Sequence, residues 1–214
     1  MAIKAIKILI LTAVFLICVS AHAGFDEEKA RNFLNATGEK FIQTLGLEDL
    51  AQKYKILDDM FEQNFDTRAM GRFVLGKTYN RLSEEQKAQY HDLFTRYIKS
   101  LYKTYPLDFD ASEIKYRIVQ VNQTEKYVVG VVALDLPEQL QTENLKTVRV
   151  EFKLEPKDDD SYLIFDVLIA DVSMLVTLRG RFAKMMKEAD DEPEWFLEDF
   201  EDLTVSNEKQ VLLP

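Results

Sequence analysis

Apolar positions recur at helical spacing through the first half of the chain and at strand spacing through much of the second. Between Phe25 and Leu45, the residues Ala30, Phe33, Leu34, Phe41 and Leu45 fall on one side of a helix, which Gly46 breaks. A second amphipathic helix fits Leu47 to Phe65, with Leu50, Tyr54, Leu57 and Phe61 on one face. Asp66 can cap a short helix that carries Met70, Phe73 and Val74. Ser83 and Gln86 form a capping box for a long helix reaching about Thr104. Its inner stripe of Tyr90, Leu93, Phe94, Tyr97, Ile98, Leu101, Tyr102 and Tyr105 is wide and aromatic, and Pro106 ends it.

Beyond Pro106 the period changes. Residues 114–121, 127–136, 147–155 and 162–171 alternate, or run continuously, in β-branched and aromatic types. In "TVRVEFKLE" the side chains of Val148, Val150, Phe152 and Leu154 point one way and the charges the other, as in a half-buried strand. "YVVGVVALDL" and "YLIFDVLIA" are apolar on both faces, which predicts central strands covered on both sides. "PKDDD" at 156–160 reads as a hairpin turn. After Ser173 a helix resumes through Lys187, with Leu175, Leu178, Phe182 and Met185 inward. Pro193 fits the first turn of a last helix bearing Trp195, Phe196, Phe200 and Leu203. No repeat or low-complexity linker divides the chain, and the sum is an α+β protein: helices, an antiparallel sheet, then helices.

The N-terminus stands apart. Lys4 and Lys7 precede an apolar run from Ile8 to Val19, followed by the small-x-small site Ala21-His22-Ala23. That is the layout of a secretory signal, cleaved near Ala23, and the run is shorter than the roughly 20 residues that span a bilayer. Ile17 sits where a lipobox requires a small residue, which argues against lipidation of Cys18. Removing residues 1–23 takes the net charge from -10 to -12 and removes the only cysteine. The expected mature chain, residues 24–214, is then an exported protein of an extracytoplasmic space, held by core burial without disulfides.

Catalytic chemistry finds little support. His91 is the only histidine of the mature chain, too few for a zinc site, and no G-x-S-x-G elbow is present. Asp158, Asp159 and Asp160 lack the interleaved oxygens and glycine of a calcium loop. The acid excess argues against nucleic acid. How the charges sort is more informative. Thr67 to Leu82 holds Arg68, Arg72, Lys77 and Arg81 with no acid, and Ser173 to Lys187 holds Arg179, Arg181, Lys184 and Lys187 with none. Glu188 to Asp202 holds nine acids and no base. Two readings stay open: basic patches for an anionic group or acidic partner, or an acidic tail folded back on them as solvated ion pairs.

The first basic segment begins a stretch with a family resemblance. "FDTRAMGRFVLGKTYNRLSEEQKAQYHDLFTRYIKSLYKTY" resembles the signature of the toluene-tolerance family, the MlaC-like periplasmic phospholipid carriers and ABC-transporter auxiliary components. An arginine, a G-R-aromatic step, a capped S-x-E-Q and an aromatic long helix follow in the family's order. "VEFKLEPKDDDSYLIFDVLIADVSMLVTLRGRFAKMMK" is similar to its strand, hairpin, aromatic-Asp-Val strand, V-S helix start and R-x-x-F. The resemblance runs from about Phe25 to Lys187. Tyr162 stands where the family often has tryptophan, Ala170-Asp171 replaces a common Glu-Gly, and the acidic end after Glu188 falls outside it.

The resemblance implies an NTF2-like twisted antiparallel sheet packed with helices, plus a helical subdomain, enclosing an apolar cavity. A lipid-binding domain would span residues 24–187, with an acidic C-terminal helix and tail at 188–214. It implies a carrier without catalysis or cofactor that shuttles phospholipid and maintains outer-membrane lipid asymmetry. Its partners would be an outer-membrane lipoprotein–porin complex and an inner-membrane ABC transporter bearing an MCE-domain ring. A hopanoid or sterol-like cargo, or a non-lipid periplasmic adaptor with a filled core, are the alternatives. Acyl chains would meet Phe73 and Val74, then Phe94, Tyr97, Ile98, Leu101 and Tyr102 of the long helix. From the sheet Val131, Val150, Phe152, Phe165, Val167, Ile169 and Val172 would line the cavity. Leu175, Leu178 and Phe182 would complete it, with Arg68, Arg72 and Arg179 for a headgroup or a partner.

Overall fold

A computed structural model describes residues 26–104, 114–138, 141–143, 145–157 and 161–211. The signal segment, Tyr105, Pro106 and the three aspartates of the expected hairpin turn lie outside them. Among these residues six α-helices and five strands follow, the short fifth strand being additional to the four expected. Helix α1 spans Glu27–Leu45, α2 Leu50–Asn64 and α3 Thr67–Leu75, and a 3-10 turn at Gly76–Arg81 leads to α4, Glu84–Lys103. The strands are β1 Lys115–Gln123, β2 Val128–Asp135, β3 Thr147–Pro156, β4 Tyr162–Ile169 and β5 Val172–Ser173. Helices α5, Met174–Glu188, and α6, Pro193–Lys209, follow.

Side chains fix most helix starts. Asp26, Asp49, Asp66, Ser83 and Ser173 each accept a hydrogen bond from the backbone N–H three residues on, satisfying a donor the helix leaves free. Gln86 completes the expected capping box, and Pro193 occupies the first turn of α6.

The sheet is an antiparallel meander in the order β1-β2-β3-β4-β5. Its register sets Val121, Gly130, Phe152 and Val167 in one row, and Ile118, Val132, Val150, Ile169 and Val172 in the next. Both rows lie on the front face, with Val148 and Leu154, as the β3 alternation predicts. The expectation that β4 is central needs correction. Only the two-residue β5 flanks its outer edge, where Phe65 also bridges to Ile164 and the Asp66 N–H donates to the Ile164 carbonyl at 3.1 Å. It is apolar on both faces because it stands between two cores.

The first core joins the front face to α1: Ala30 and Leu34 pack with Val121, Val128, Leu154, Tyr162 and Ile164. The second is helical, built from α3, α4, α5 and α6 with Phe61 of α2, and it receives Phe165 from β4. Phe65 packs against both. α1 crosses the front face diagonally: Asp26 lies near Tyr162, Leu34 sits over Gly130, and Tyr116 Oη donates to the Asn35 carbonyl at 3.1 Å. Glycine at 130 is what lets the helix approach, since a Cβ there would collide with Leu34 Cδ1. Replacing Gly130→Val should therefore lower the unfolding free energy in urea by about 1–3 kcal/mol. Adding Leu34→Ala should make the second change cost less than it does alone. Strict additivity would mean that α1 does not rest on Gly130.

Candidate functional site

Helix α4 does not turn its rings to the sheet. Tyr90, Phe94 and Tyr97 meet Phe182 of α5 and Phe196 and Phe200 of α6, and all six rings are fully buried. Their centroids lie 4.8 to 6.4 Å apart, mostly tilted or edge-on, the geometry that aromatic quadrupoles favour. The two hydroxyls are satisfied: Tyr90 Oη donates to the Gly71 carbonyl at 2.9 Å, and Tyr97 Oη accepts from Arg181 Nη1 at 2.6 Å. Burial raises the pKa of both phenols. The aromatic stripe thus packs against α5 and α6, a choice of partner that periodicity cannot foresee.

The expected cavity lining divides accordingly. Val74, Phe94, Tyr97, Ile98, Leu175, Leu178 and Phe182 belong to the helical core, with Phe73 and Leu101 at its margin. Phe165 joins them from the back face, stacked on Tyr127 at 5.2 Å and edge-on to Phe73 at 5.7 Å. Tyr102 straps α2 to α4 instead, because its hydroxyl donates to Asp58, whose second oxygen pairs with Lys103 at 2.7 Å. Val131 pairs with Glu151 and points to the back, opposite the side of Val150 and Phe152.

Val150, Phe152, Val167, Ile169 and Val172 remain together on the front face. Away from α1 this surface also holds Leu134 and Val148, and among the described residues it is only partly covered. Val148, Val150, Phe152 and Val167 are half-buried, while Ile169 and Val172 are 56% and 62% exposed. No charged residue interrupts the Ile118–Val132–Val150–Ile169–Val172 row.

The back face carries the charges, centred on Asp166. This carboxylate is 2% exposed and accepts from Lys153 Nζ at 3.0 Å, Ser173 Oγ at 2.8 Å and the Leu175 N–H at 3.2 Å. Its partners are thus Lys153 and the start of α5 rather than an arginine of the basic segments. Arg179 instead donates to the Phe73 carbonyl at 3.1 Å with its guanidinium 5.1 Å over the Phe73 ring. Arg68 and Arg72 are exposed, with no carboxylate in ion-pair range among the described residues. Both lie near His91, whose Nε2 meets Tyr79 Oη at 3.0 Å while its buried Nδ1 has no partner. Burial first, then these two arginines, hold the imidazole below its usual pKa.

The acidic segment folds as α6 around Phe196, Leu197 and Phe200, with Trp195 outward at 52% exposure. Its ties to bases are few: Glu208 grips Arg96 of α4 at 2.7 and 2.9 Å, and Arg81 donates to the Asp191 carbonyl at 2.7 Å. Lys184 and Glu188 pair within α5 at 3.4 Å. A groove of about 380 Å3 between α5 and α6 is lined by Arg181, Lys184, Met185, Glu188, Asp199 and Leu203. Four of those six are charged, which unsuits it to an acyl chain.

A small α+β protein with a filled helical core and a half-open apolar sheet face is the class this geometry defines. The family model described as MlaC protein matches residues 37–199, and the chain belongs to that family. A solved structure described as the phospholipid-binding protein from Ralstonia solanacearum in complex with a phospholipid shares the fold, with a TM-score of 0.68 at 12% identity. The alignment covers 84% of this chain and 98% of that one. No curated protein matches the chain.

Two measurements check this electrostatic layout. Asp166→Ala strands Lys153 and the start of α5, and should cost about 3 kcal/mol of unfolding free energy, with Asp166→Asn costing less. Loss below 1 kcal/mol would sink the assigned role. His91 titrates below its unfolded value of about 6.5, so the unfolded chain binds the extra proton first. Stability should therefore fall as pH drops through about 6.5 and level off below the folded pKa. In His91→Gln that part of the slope should vanish.

Proposed function

We propose that the protein is a periplasmic phospholipid carrier, without catalysis or cofactor, that holds acyl chains against the front face of its sheet. The observation that carries this reading is the uninterrupted apolar row from Ile118 to Val172, left part-exposed in a chain of the MlaC family. The phospholipid bound in the Ralstonia solanacearum structure supports it. So does the energetics: a buried methylene is worth about 0.8 kcal/mol, so two chains of about 15 methylenes lose on the order of 24 kcal/mol in water. Apolar contact along that face recovers part of this loss. Within this reading the helical rings are solid core, and Val150, Phe152, Val167 and Ile169 line the lipid.

Residues 1–23 would direct export and be removed near Ala23. Lipid would pass between an outer-membrane lipoprotein–porin complex and an inner-membrane transporter with an MCE-domain ring. Arg68, Arg72 and Arg179 lie on α3 and α5 rather than on the front face, so this reading gives them no clamp on the headgroup.

Protein purified from cells should carry phospholipid, seen by native mass spectrometry and by solvent extraction; a sterol-like lipid in the extract would redirect the cargo. Val150→Trp should keep the fold and lose most of the lipid. Phe94→Ala should lose about 3–5 kcal/mol of stability yet keep its lipid per folded molecule. Protein that arrives empty, and takes nothing from liposomes, overturns the carrier.

A further inference from the structure

The outward side of α5 combines two features at the open margin of the proposed lipid face, and the inference drawn from them rests in part on that face. Val176, Arg179, Ala183 and Lys187 follow one another at helical spacing, and all four are exposed. A Cβ built on Gly180, between them, would meet nothing within 4 Å, so the surface is open. Just before the helix, Ile169 and Val172 pair across the β4–β5 turn. Ile169, Val172 and Val176 are 56%, 62% and 59% exposed, the first two paired across the turn and the third in the first turn of the helix that follows. Water solvates such groups poorly, and a contiguous exposed set marks a place that something apolar covers.

The bases are equally one-sided. No acid occurs from Ser173 to Lys187 or from Thr67 to Leu82. Arg179 reaches the C-terminal end of α3 through the Phe73 carbonyl and crowds Gly76, which joins the bases of α3 and its following turn to those of α5. Arg68, Arg72, Lys77, Arg179 and Lys187 have no carboxylate in ion-pair range among the described residues. Meanwhile the acids of α6 gather on a different helix.

We infer that this face, with Arg72, Arg179 and Lys187 around the tips of Ile169, Val172 and Val176, docks on an anionic phospholipid bilayer. Bases draw it to the charged surface, and the aliphatic tips enter the headgroup boundary. An acidic protein is the other occupant with matching charge. The described groove that could take a peptide of such a protein opens on another side of α5, at Arg181 and Met185. With a mature net charge near -12, the rest of the molecule is repelled by such a membrane. Screening beyond about 8 Å confines that repulsion, so contact is made through this face alone.

The test is co-sedimentation of the purified protein with phosphatidylcholine vesicles, with and without one-third phosphatidylglycerol. Phosphatidylglycerol should raise the bound fraction about fivefold or more, and added salt should reverse the gain. Lys187→Glu and Arg179→Glu should each weaken that binding by about fivefold or more. Val176→Asp should weaken it at low and high salt alike. Glu85→Lys, on exposed α4, should leave the effect of these reversals unchanged. Equal sedimentation with both vesicles, variants that bind like the parent, or retention only by an acidic protein overturns the inference. Lipid content is measured on the same samples. Empty protein that still docks defeats the carrier alone, and loaded protein that ignores vesicles defeats the docking face alone.

Discussion

Burying Asp166 sets the geometry of both halves of the molecule. A carboxylate at 2% exposure has lost its water, which would cost several kcal/mol without partners. Lys153 supplies the countercharge from β3, and Ser173 and the Leu175 N–H supply hydrogen bonds from the start of α5. Ser173 at the same time accepts from the Val176 N–H, so one hydroxyl caps the helix and anchors it to the sheet. The positive end of the α5 dipole adds to the attraction. Because α5 must begin there, only Ala170 and Asp171 remain to reverse the chain after β4. Both adopt positive φ, at 48° and 66°, and Asp171 is held by Arg149 at 2.9 Å. That tight turn is what lifts Ile169 and Val172 clear of the core.

Two cores packed to different degrees follow from this pinning. Aromatic rings fill the helical one because edge-to-face contacts at about 5 to 6 Å let bulky groups interlock without voids. The sheet has only α1 across its front face among the described residues, and one helix covers a diagonal rather than a plane. Polar straps keep the arrangement apart: Tyr102 and Lys103 tie α2 to α4 through Asp58, and Arg96 ties α4 to α6 through Glu208. The helical core thus stands on the back of the sheet, and only α1 among the described helices packs on its front.

Much of this was legible in the residues. Ser83 with Gln86, Asp66 and Pro193 announced helix starts because capping chemistry is local, and the β3 alternation named the correct front face. The partner of a buried stripe was not legible. Spacing shows that Tyr90, Phe94 and Tyr97 are inside, but whether a sheet or another helix receives them depends on contacts about a hundred residues away. Which way Val131 points is not legible either, because a strand buried on both sides has no visible phase. Irregularities between Ile118 and Gln120, and between Lys153 and Leu154, shift the pairing where a simple alternation would run on. In α6 the aromatic residues alone left the inward face open: Phe196, Leu197 and Phe200 turn in, and Trp195 does not.

For a carrier, a surface that stays partly open solves a problem that a tighter one would create. Leaving water is worth on the order of 24 kcal/mol to two acyl chains in a bilayer and in an apolar site alike, so release from the proposed carrier turns on the difference between those two hosts. Transfer requires only that the cargo be held about as well as a bilayer holds it. In the proposed carrier, a sheet face with Ile169 and Val172 exposed at its margin would let chains leave gradually, trading protein contact for membrane contact. An arginine clamp on the phosphate would add an electrostatic debt to every release, and the front face offers none. The bases stand on the neighbouring helices, where they can act on whatever receives the lipid.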